Sequence, residues 1–393
     1  MGPLSGYRVL DLSRVLAGPW ASQIFADLGA EVIKIERPGK GDDTRAWGPP
    51  FSTESGLSAY FCAANRGKKS VAIDMSKPEG QALIKKLAEG SDVLLENFKV
   101  GGLDKLGLGP GDMLKLNPRL VYCSITGFGQ TGPYRNRAGY DFLMQGMGGL
   151  MSVTGEPDGE PMKAGVAVVD VLTGLYASNA VMAALLERER SGLGQHIDLA
   201  LFDVQIASMA NQVSSYLVSG QQPVRLGNAH PSIVPYQVFP TKDGHIILAV
   251  GNDEQFARLV TLANAPELAQ DQRFSTNPAR VKNRDILVPI LEALLKANSS
   301  KDWLESLEAQ GIPAGPINDF ADIDADPQVQ ARGIFKTLTP ELRGVANPMR
   351  FSRSELQDNR PPPQLGADTD DVLKDIIGLS ETEISALKHA QIV

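Results

Sequence analysis

The chain predicts an α/β protein, a parallel sheet covered by helices, followed by a smaller α+β domain. Three observations predict it. The first third alternates short apolar runs with helix-period segments, which is the grammar of βαβ units. Near Gly220 the texture changes to a hairpin signal followed by helical patterns. With 393 residues, 42% of them apolar, the chain can also fill more than one core.

The elements follow in order. Arg8 to Leu12 reads as a strand, Pro19 to Leu28 as a helix, Glu31 to Glu36 and Ser70 to Asp74 as strands. Ser76-Lys-Pro-Glu79 has the form of a capping box with proline in the first turn, and opens a helix running to Glu89. Strands continue at Asp92 to Glu96 and Leu120 to Ile125, and alanine-rich helices at Val171 to Arg190 and Phe202 to Ser219 flank a strand at His196 to Leu199. In the second part, Tyr236 to Val250 reads as two strands joined at Thr241-Lys-Asp-Gly244, and helices dominate from Glu254 to Gln310. Gly311-Ile-Pro-Ala-Gly-Pro316 is a break, Phe335 to Phe351 is strand-rich, and Arg360-Pro-Pro-Pro363 is a stiff extended link to a C-terminal helix.

Composition excludes several classes of function. A formal charge of -8, from 46 acidic against 38 basic residues, argues against general affinity for nucleic acid or an anionic membrane. The two cysteines, Cys62 and Cys123, stand in unrelated contexts, so neither a disulfide framework nor a cysteine metal site is expected, and a reducing cytosol fits best. The strand at Arg8 leaves no room for a signal peptide, and no transmembrane stretch stands out. The four histidines lack metal-ligand spacing, so no metal is expected. The first β-turn-α unit carries Ser13-Arg-Val-Leu-Ala-Gly-Pro19 rather than G-x-G-x-x-G, so a conventional NAD site is not expected either. Gly127-Phe-Gly-Gln-Thr-Gly-Pro133 lacks the Gly-Lys-Ser/Thr ending of a P-loop, and no serine lies in a G-x-S-x-G elbow.

Some residues nevertheless invite chemistry. Asp170 is the one charged side chain between Ala164 and Ala177. Burial there disfavours its charge and strips water from its oxygens, as a carboxylate nucleophile requires. Aspartate is also a preferred N-cap, and a helix begins at about this point. Asn65-Arg-Gly-Lys-Lys-Ser70 concentrates three cations before a strand, either a phosphate contact or a solvated basic loop, and Arg37 after Glu36 suits a phosphate. His230, in Gly227-Asn-Ala-His-Pro-Ser-Ile-Val-Pro235, is either a ligand at a domain boundary or an exposed loop histidine.

Read together, Arg14-Val-Leu-Ala-Gly-Pro19, Leu28-Gly-Ala-Glu-Val-Ile-Lys-Ile-Glu-Arg37, Gly41-Asp-Asp-Thr-Arg45, Asn97-Phe98, Gly139-Tyr-Asp141 and the Asp170 segment resemble the class III CoA-transferases, the CaiB/BaiF family, over nearly the whole chain. The resemblance implies a doubly wound, Rossmann-like large domain from residues 1–225 and 327–393, a small domain of residues 226–326, and an interlocked homodimer. It places the nucleophile at Asp170 and an assisting carboxylate at Asp141, one methylene shorter than the glutamate of formyl-CoA transferase. It places coenzyme A contacts at Leu16, Ala17, Arg37, Ile73, Asp74, Met75, Asn97, Phe98, Lys105, Arg137 and Tyr140. Leu16 stands where formyl-CoA transferase has glutamine, and the glycine-rich loop of that enzyme has no counterpart near Ile233-Val-Pro-Tyr236, so formate and oxalate are not expected substrates.

By the same resemblance, the expected reaction moves CoA from an acyl-CoA to a free carboxylic acid through an aspartyl-CoA thioester. Within the family the motifs look most like the succinyl-CoA:glutarate type, and Arg14, Arg45 and His230 are candidates to hold a second carboxylate. A racemase of the same fold is the main competitor. It needs histidine where this chain has Tyr140, and a phenol with a pKa near ~10 is a poor proton shuttle at neutral pH. A non-catalytic CoA-binding protein would be expected to have lost Asp170.

Overall fold

A computed structural model describes residues 1–393. The chain divides into two compact units, Met1–Leu150 with Ala164–Leu217 and Pro327–Val393, and Met151–Lys163 with Val218–Asp326.

The first unit is built on strands β1 (Arg8–Asp11), β2 (Glu31–Glu36), β3 (Lys69–Ala72), β4 (Val93–Glu96), β5 (Val121–Thr126) and β6 (His196–Ala200). They lie in the order β3-β2-β1-β4-β5-β6, and every pairing is parallel. The order reverses between β1 and β4, and a doubly wound sheet holds ligands outside the carboxyl ends of its strands at such a point. The helices in chain order are α1 (Ala17–Asp27), α2 (Ala59–Asn65), α3 (Pro78–Glu89), α4 (Pro110–Leu116), α5 (Asp141–Met147), α6 (Leu150–Val153, of which only Leu150 belongs to this unit) and α7 (Val168–Ser191), with Leu201–Ser208 and others beyond.

Strand alternation sends neighbouring side chains into two cores. Val9, Val32, Val93 and Leu95 join Phe25 of α1 and Val181 of α7 on one face. Leu10, Ile33 and Leu94 join Ile84 of α3 on the other, where Leu373 and Ile384 from the end of the chain complete the layer. Both faces are covered, so the strands read as nearly unbroken apolar runs. Helix α7 is long and apolar enough to cross a membrane by length and composition, although the sequence reading singled out no such stretch. Here Val169, Thr173, Gly174, Ala177 and Val181 are buried, and the helix packs on α1 and β5.

The second unit carries the hairpin Tyr236–Pro240 and His245–Ala249, closed where Thr241 N–H donates to the Gly244 carbonyl at 2.9 Å, with Ala314–Gly315 as a third strand. Its core gathers Phe239, Ile246, Leu248, Phe256, Leu287 and Trp303. Fully buried Arg280 donates to the Val234 and Phe274 carbonyls and to Asp253, at 2.6, 2.9 and 2.8 Å.

Three expectations change. The unit boundary falls at residue 218 rather than 226, and residues 151–163, expected in the large domain, belong to the second unit. Arg225 holds them there through the carbonyls of Glu156, Pro157 and Gly159. The helix expected over Phe202 to Ser219 breaks at Ala210, whose φ is +43°. The capping box at Ser76 does not form: Ser76 turns back to Asp74 through its N–H and hydroxyl at 3.0 and 2.6 Å, and Lys77 becomes the N-cap of α3 without a side-chain bond. Asp74 offers a local Asx turn, which wins the serine.

Candidate active site

The turn after β1 is held from below by buried charges. Asp11 accepts the Ser13 N–H at 2.9 Å, while Lys34 donates to the Ser13 carbonyl at 2.8 Å and pairs with Asp42 at 2.9 Å. Asp42 accepts the N–H of Val15 at 3.3 Å and of Thr44 at 3.0 Å. Val15 has φ +71°, a left-handed conformation that costs a β-branched residue about 1–3 kcal/mol. The Lys34–Asp42 pair is fully buried, its attraction outweighing burial so that Lys34 is pushed up and Asp42 down. The turn delivers the chain into α1, whose N-cap Leu16 has no side-chain bond and whose first turn has no acidic residue. Its amide donors are left to the groove above.

Asn97, after β4, staples the switch point. Its Oδ1 accepts the Arg14 N–H at 2.9 Å and its Nδ2 donates to the Arg14 carbonyl at 2.6 Å. The Arg14 guanidinium lies 5.1 Å over the Phe98 ring. Two cavities meet here, sharing Arg14, Asp43 and Phe98. One, about 270 Å³, runs over the ends of β2 and β3 past Arg37, Ile73, Asp74 and Met75. The other, about 220 Å³, passes Leu16, Ala17, Asn97, Arg137 and Tyr140 and reaches Asp170. The structure thus gathers every expected CoA contact along the groove except Lys105, which sits on the one-turn helix Asp104–Leu106 outside the lining.

Close backbone approach shapes the nucleophile's end. A Cβ on Gly127 would lie 2.6 Å from the Gly139 Cα, so the exit of β5 and the approach to α5 touch through bare backbone. A Cβ on Gly174 would lie 2.8 Å from the Ala17 carbonyl oxygen, so α7 presses directly on the start of α1. Asp170 stands one turn before Gly174 on the same helix face.

The expectation that Asp170 caps its helix is overturned. Helix α7 begins at Val168, because Val169 continues the buried face, and its N-cap is Ala167. Asp170 occupies the third helical position. Asp141 supplies the missing cap from α5, its Oδ2 accepting the Val169 N–H at 3.1 Å. Buried Gln145 holds the other side of that carboxylate, its Nε2 donating to Oδ1 at 2.5 Å while its Oε1 accepts the Ala164 N–H at 2.8 Å. Burial, and then the Asp141 charge, push the Asp170 carboxyl up to about 7. The Tyr60 phenol of α2 is raised by its own burial and by the fields of Asp170, Asp141 and Asp42.

Several candidates lie elsewhere. Arg45 is not free for a substrate carboxylate: it makes a two-point ion pair with Glu36 at 2.6 and 2.7 Å, donates to the Pro363 carbonyl, and stacks 3.8 Å from the Phe61 ring centroid. Two of the three cations in the basic run at Asn65 are buried in ion pairs, and half-exposed Lys69 pairs with Glu31 at 2.7 Å. Arg66 pairs with Asp27 at 2.5 Å, and fully buried Lys68 donates to Pro19, Asn65 and Asp11. These cations neutralise acids on the first two β-α units, which sequence spacing does not show. His230 belongs to the second unit, where its Nδ1 accepts the Ser232 N–H at 3.0 Å and its ring lies 5.2 Å from Tyr236. Sequence reasoning missed Gln145 and Tyr60. The i,i+4 spacing of Asp141 and Gln145 was the available signal for the first.

A doubly wound sheet with a largely buried carboxylate at the end of its switch-point groove suits a group-transfer protein that works through a carboxylate nucleophile. The sequence profile described as CoA-transferase family III matches residues 4–369, and the chain belongs to that family. It is 52% identical to succinate--glutarate CoA-transferase of Agrobacterium fabrum over 97% of each chain. It is 43% identical to succinyl-CoA:glutarate CoA-transferase of Homo sapiens, covering 100% of this chain and 90% of that one. A crystal structure of a CaiB/BaiF family protein from Brucella suis superposes with a TM-score of 0.86 at 50% identity, covering 95% of this chain and 99% of the other.

Proposed function

We propose that the protein transfers CoA from succinyl-CoA to glutarate, with Asp170 as the nucleophile. The observation that carries the reading is Asp170 itself: a carboxylate at the end of the groove, held up to about 7 by burial and a neighbouring charge, with no hydrogen bond stabilising its ionised form. Such a carboxylate retains more basicity, and hence nucleophilicity, than a solvated one. The named relatives at 52% and 43% identity supply the donor and acceptor.

In this reading an Asp170 oxygen attacks the thioester carbonyl, the C–S bond breaks, and a mixed anhydride and CoA thiolate form. The thiolate then attacks the Asp170 carbonyl of the anhydride, releasing succinate and leaving an aspartyl-CoA thioester. Glutarate repeats the sequence in reverse, so no net proton or water is needed. The first amides of α1, which no side chain caps, are suited to stabilise each tetrahedral oxyanion. Val169 and Leu201, buried beside the nucleophile, limit water at the anhydride.

Arg14 and His230 are the candidates for the second carboxylate, with Arg37 and Arg137 along the CoA path. The chemistry calls for no metal or NAD, and the working form is proposed to be an interlocked homodimer in the cytosol. Racemisation is the weaker reading, because the residue beside Asp141 is a 67% exposed tyrosine with no partner to make it a base. Incubation with succinyl-CoA followed by mass spectrometry should find CoA mass on the Asp170 peptide, discharged by glutarate. Turnover without that adduct would sink the covalent mechanism. If Arg14→Ala and His230→Ala left the preference for dicarboxylic over monocarboxylic acids unchanged, their assignment would fail.

A further inference from the structure

We infer that Gln145 is a positioning residue: it clamps the Asp141 carboxylate against the first turn of the helix that carries Asp170. The inference rests on the reading of Asp170 as nucleophile and goes beyond it. Its basis is that both ends of one buried amide have a single permitted orientation. The Ala164 N–H can only donate, so it takes the amide oxygen at 2.8 Å, leaving the NH₂ group to face Asp141 at 2.5 Å. Gln145 is 1% exposed, so turning the amide over would bury an N–H against an N–H with no water to compensate.

Asp141 meanwhile caps α7 through the Val169 N–H at 3.1 Å, one residue before Asp170. The amide thus fixes the place of the one acid whose charge acts directly on the nucleophile. The other groups facing Asp170 do not replace it: Tyr60 on α2 is a phenol with a raised pKa, and the first turn of α1, Ala17 to Trp20, has no ionisable side chain. Without Gln145 the Asp141 carboxylate is free to turn away from the nucleophile, and its field on Asp170 weakens.

The test compares Gln145→Leu, Asp141→Asn and the double variant, reading the pH profile of kcat/KM for CoA transfer and the CoA adduct on the Asp170 peptide. Gln145→Leu should lower kcat about tenfold with KM for the acyl-CoA nearly unchanged, and move the acid limb to lower pH by about half a unit. In the Asp141→Asn background, where there is no charge to hold, the same change should cost less than about twofold. An unmoved acid limb, or an equal loss in both backgrounds, overturns the inference. Where Gln145→Leu does not fold, Gln145→Asn decides: its shorter amide cannot span Asp141 and the Ala164 N–H together, so the acid limb should again fall, and an unmoved limb overturns the proposal. Failure of the wild type to form the adduct overturns the nucleophile reading beneath it. An adduct with an unmoved limb overturns the role of Gln145 alone.

Discussion

Replacing Asp170 with asparagine should abolish transfer and stabilise the fold. The carboxyl is raised from 3.8 to about 7, first by burial and then by Asp141. A folded-state pKa above the unfolded one means that the native chain binds the proton more tightly. Stability is therefore greatest below the unfolded pKa near 4 and declines as pH rises through about 7. Each pKa step of one is worth about 1.4 kcal/mol, so the whole gap corresponds to roughly 4 kcal/mol, and about 2–3 kcal/mol once discounted for the side chain's partial contact with water. Asparagine keeps the shape and removes the charge. Urea unfolding should show Asp170→Asn about 2–3 kcal/mol more stable than wild type at pH 8, with the gap narrowing by more than half at pH 5. A variant no more stable at pH 8, or a gap independent of pH, would refute the claim that the nucleophile is held charged against an unfavourable setting.

Other outcomes follow from the same structure. Lys34→Met leaves buried Asp42 and Asp11 without that partner and should cost about 3–5 kcal/mol in denaturant unfolding. Gly174→Val drives a side chain into the Ala17 carbonyl and Trp20. It should lower stability by about 1–3 kcal/mol and depress kcat more than a substitution on the exposed face of α7 such as Leu186→Ala. Lys105→Ala, outside the groove lining, should leave KM for succinyl-CoA within about twofold, whereas Arg37→Ala should raise it clearly, as steady-state titration of the thioester would show.

Asp170 was legible in the sequence because its charge conflicts with its apolar neighbours, while Asp141 and the turn after β1 were legible only because their motifs resemble a family. The buried basic run was misread. Arg66 and Lys68 look like surface cations until Asp27 and Asp11, far away in the chain, are seen beside them. Arg45 is similar: its partner Glu36 was visible, but only the fold brings the two into a paired, stacked geometry.

The amino-acid order alone determined the alternation of strand and helix, the parallel sheet that such units build and the presence of a carboxylate that apolar neighbours would desolvate. Those properties depend on local periodicity and composition, which are written in consecutive residues. Only the tertiary structure decided that Asp170 is the third residue of its helix rather than its cap, and that Asp141, 28 residues before Val169, supplies that cap under the hold of Gln145. A cap is a hydrogen bond in space, and nothing in the spacing of two aspartates says which will reach the first free amide of α7.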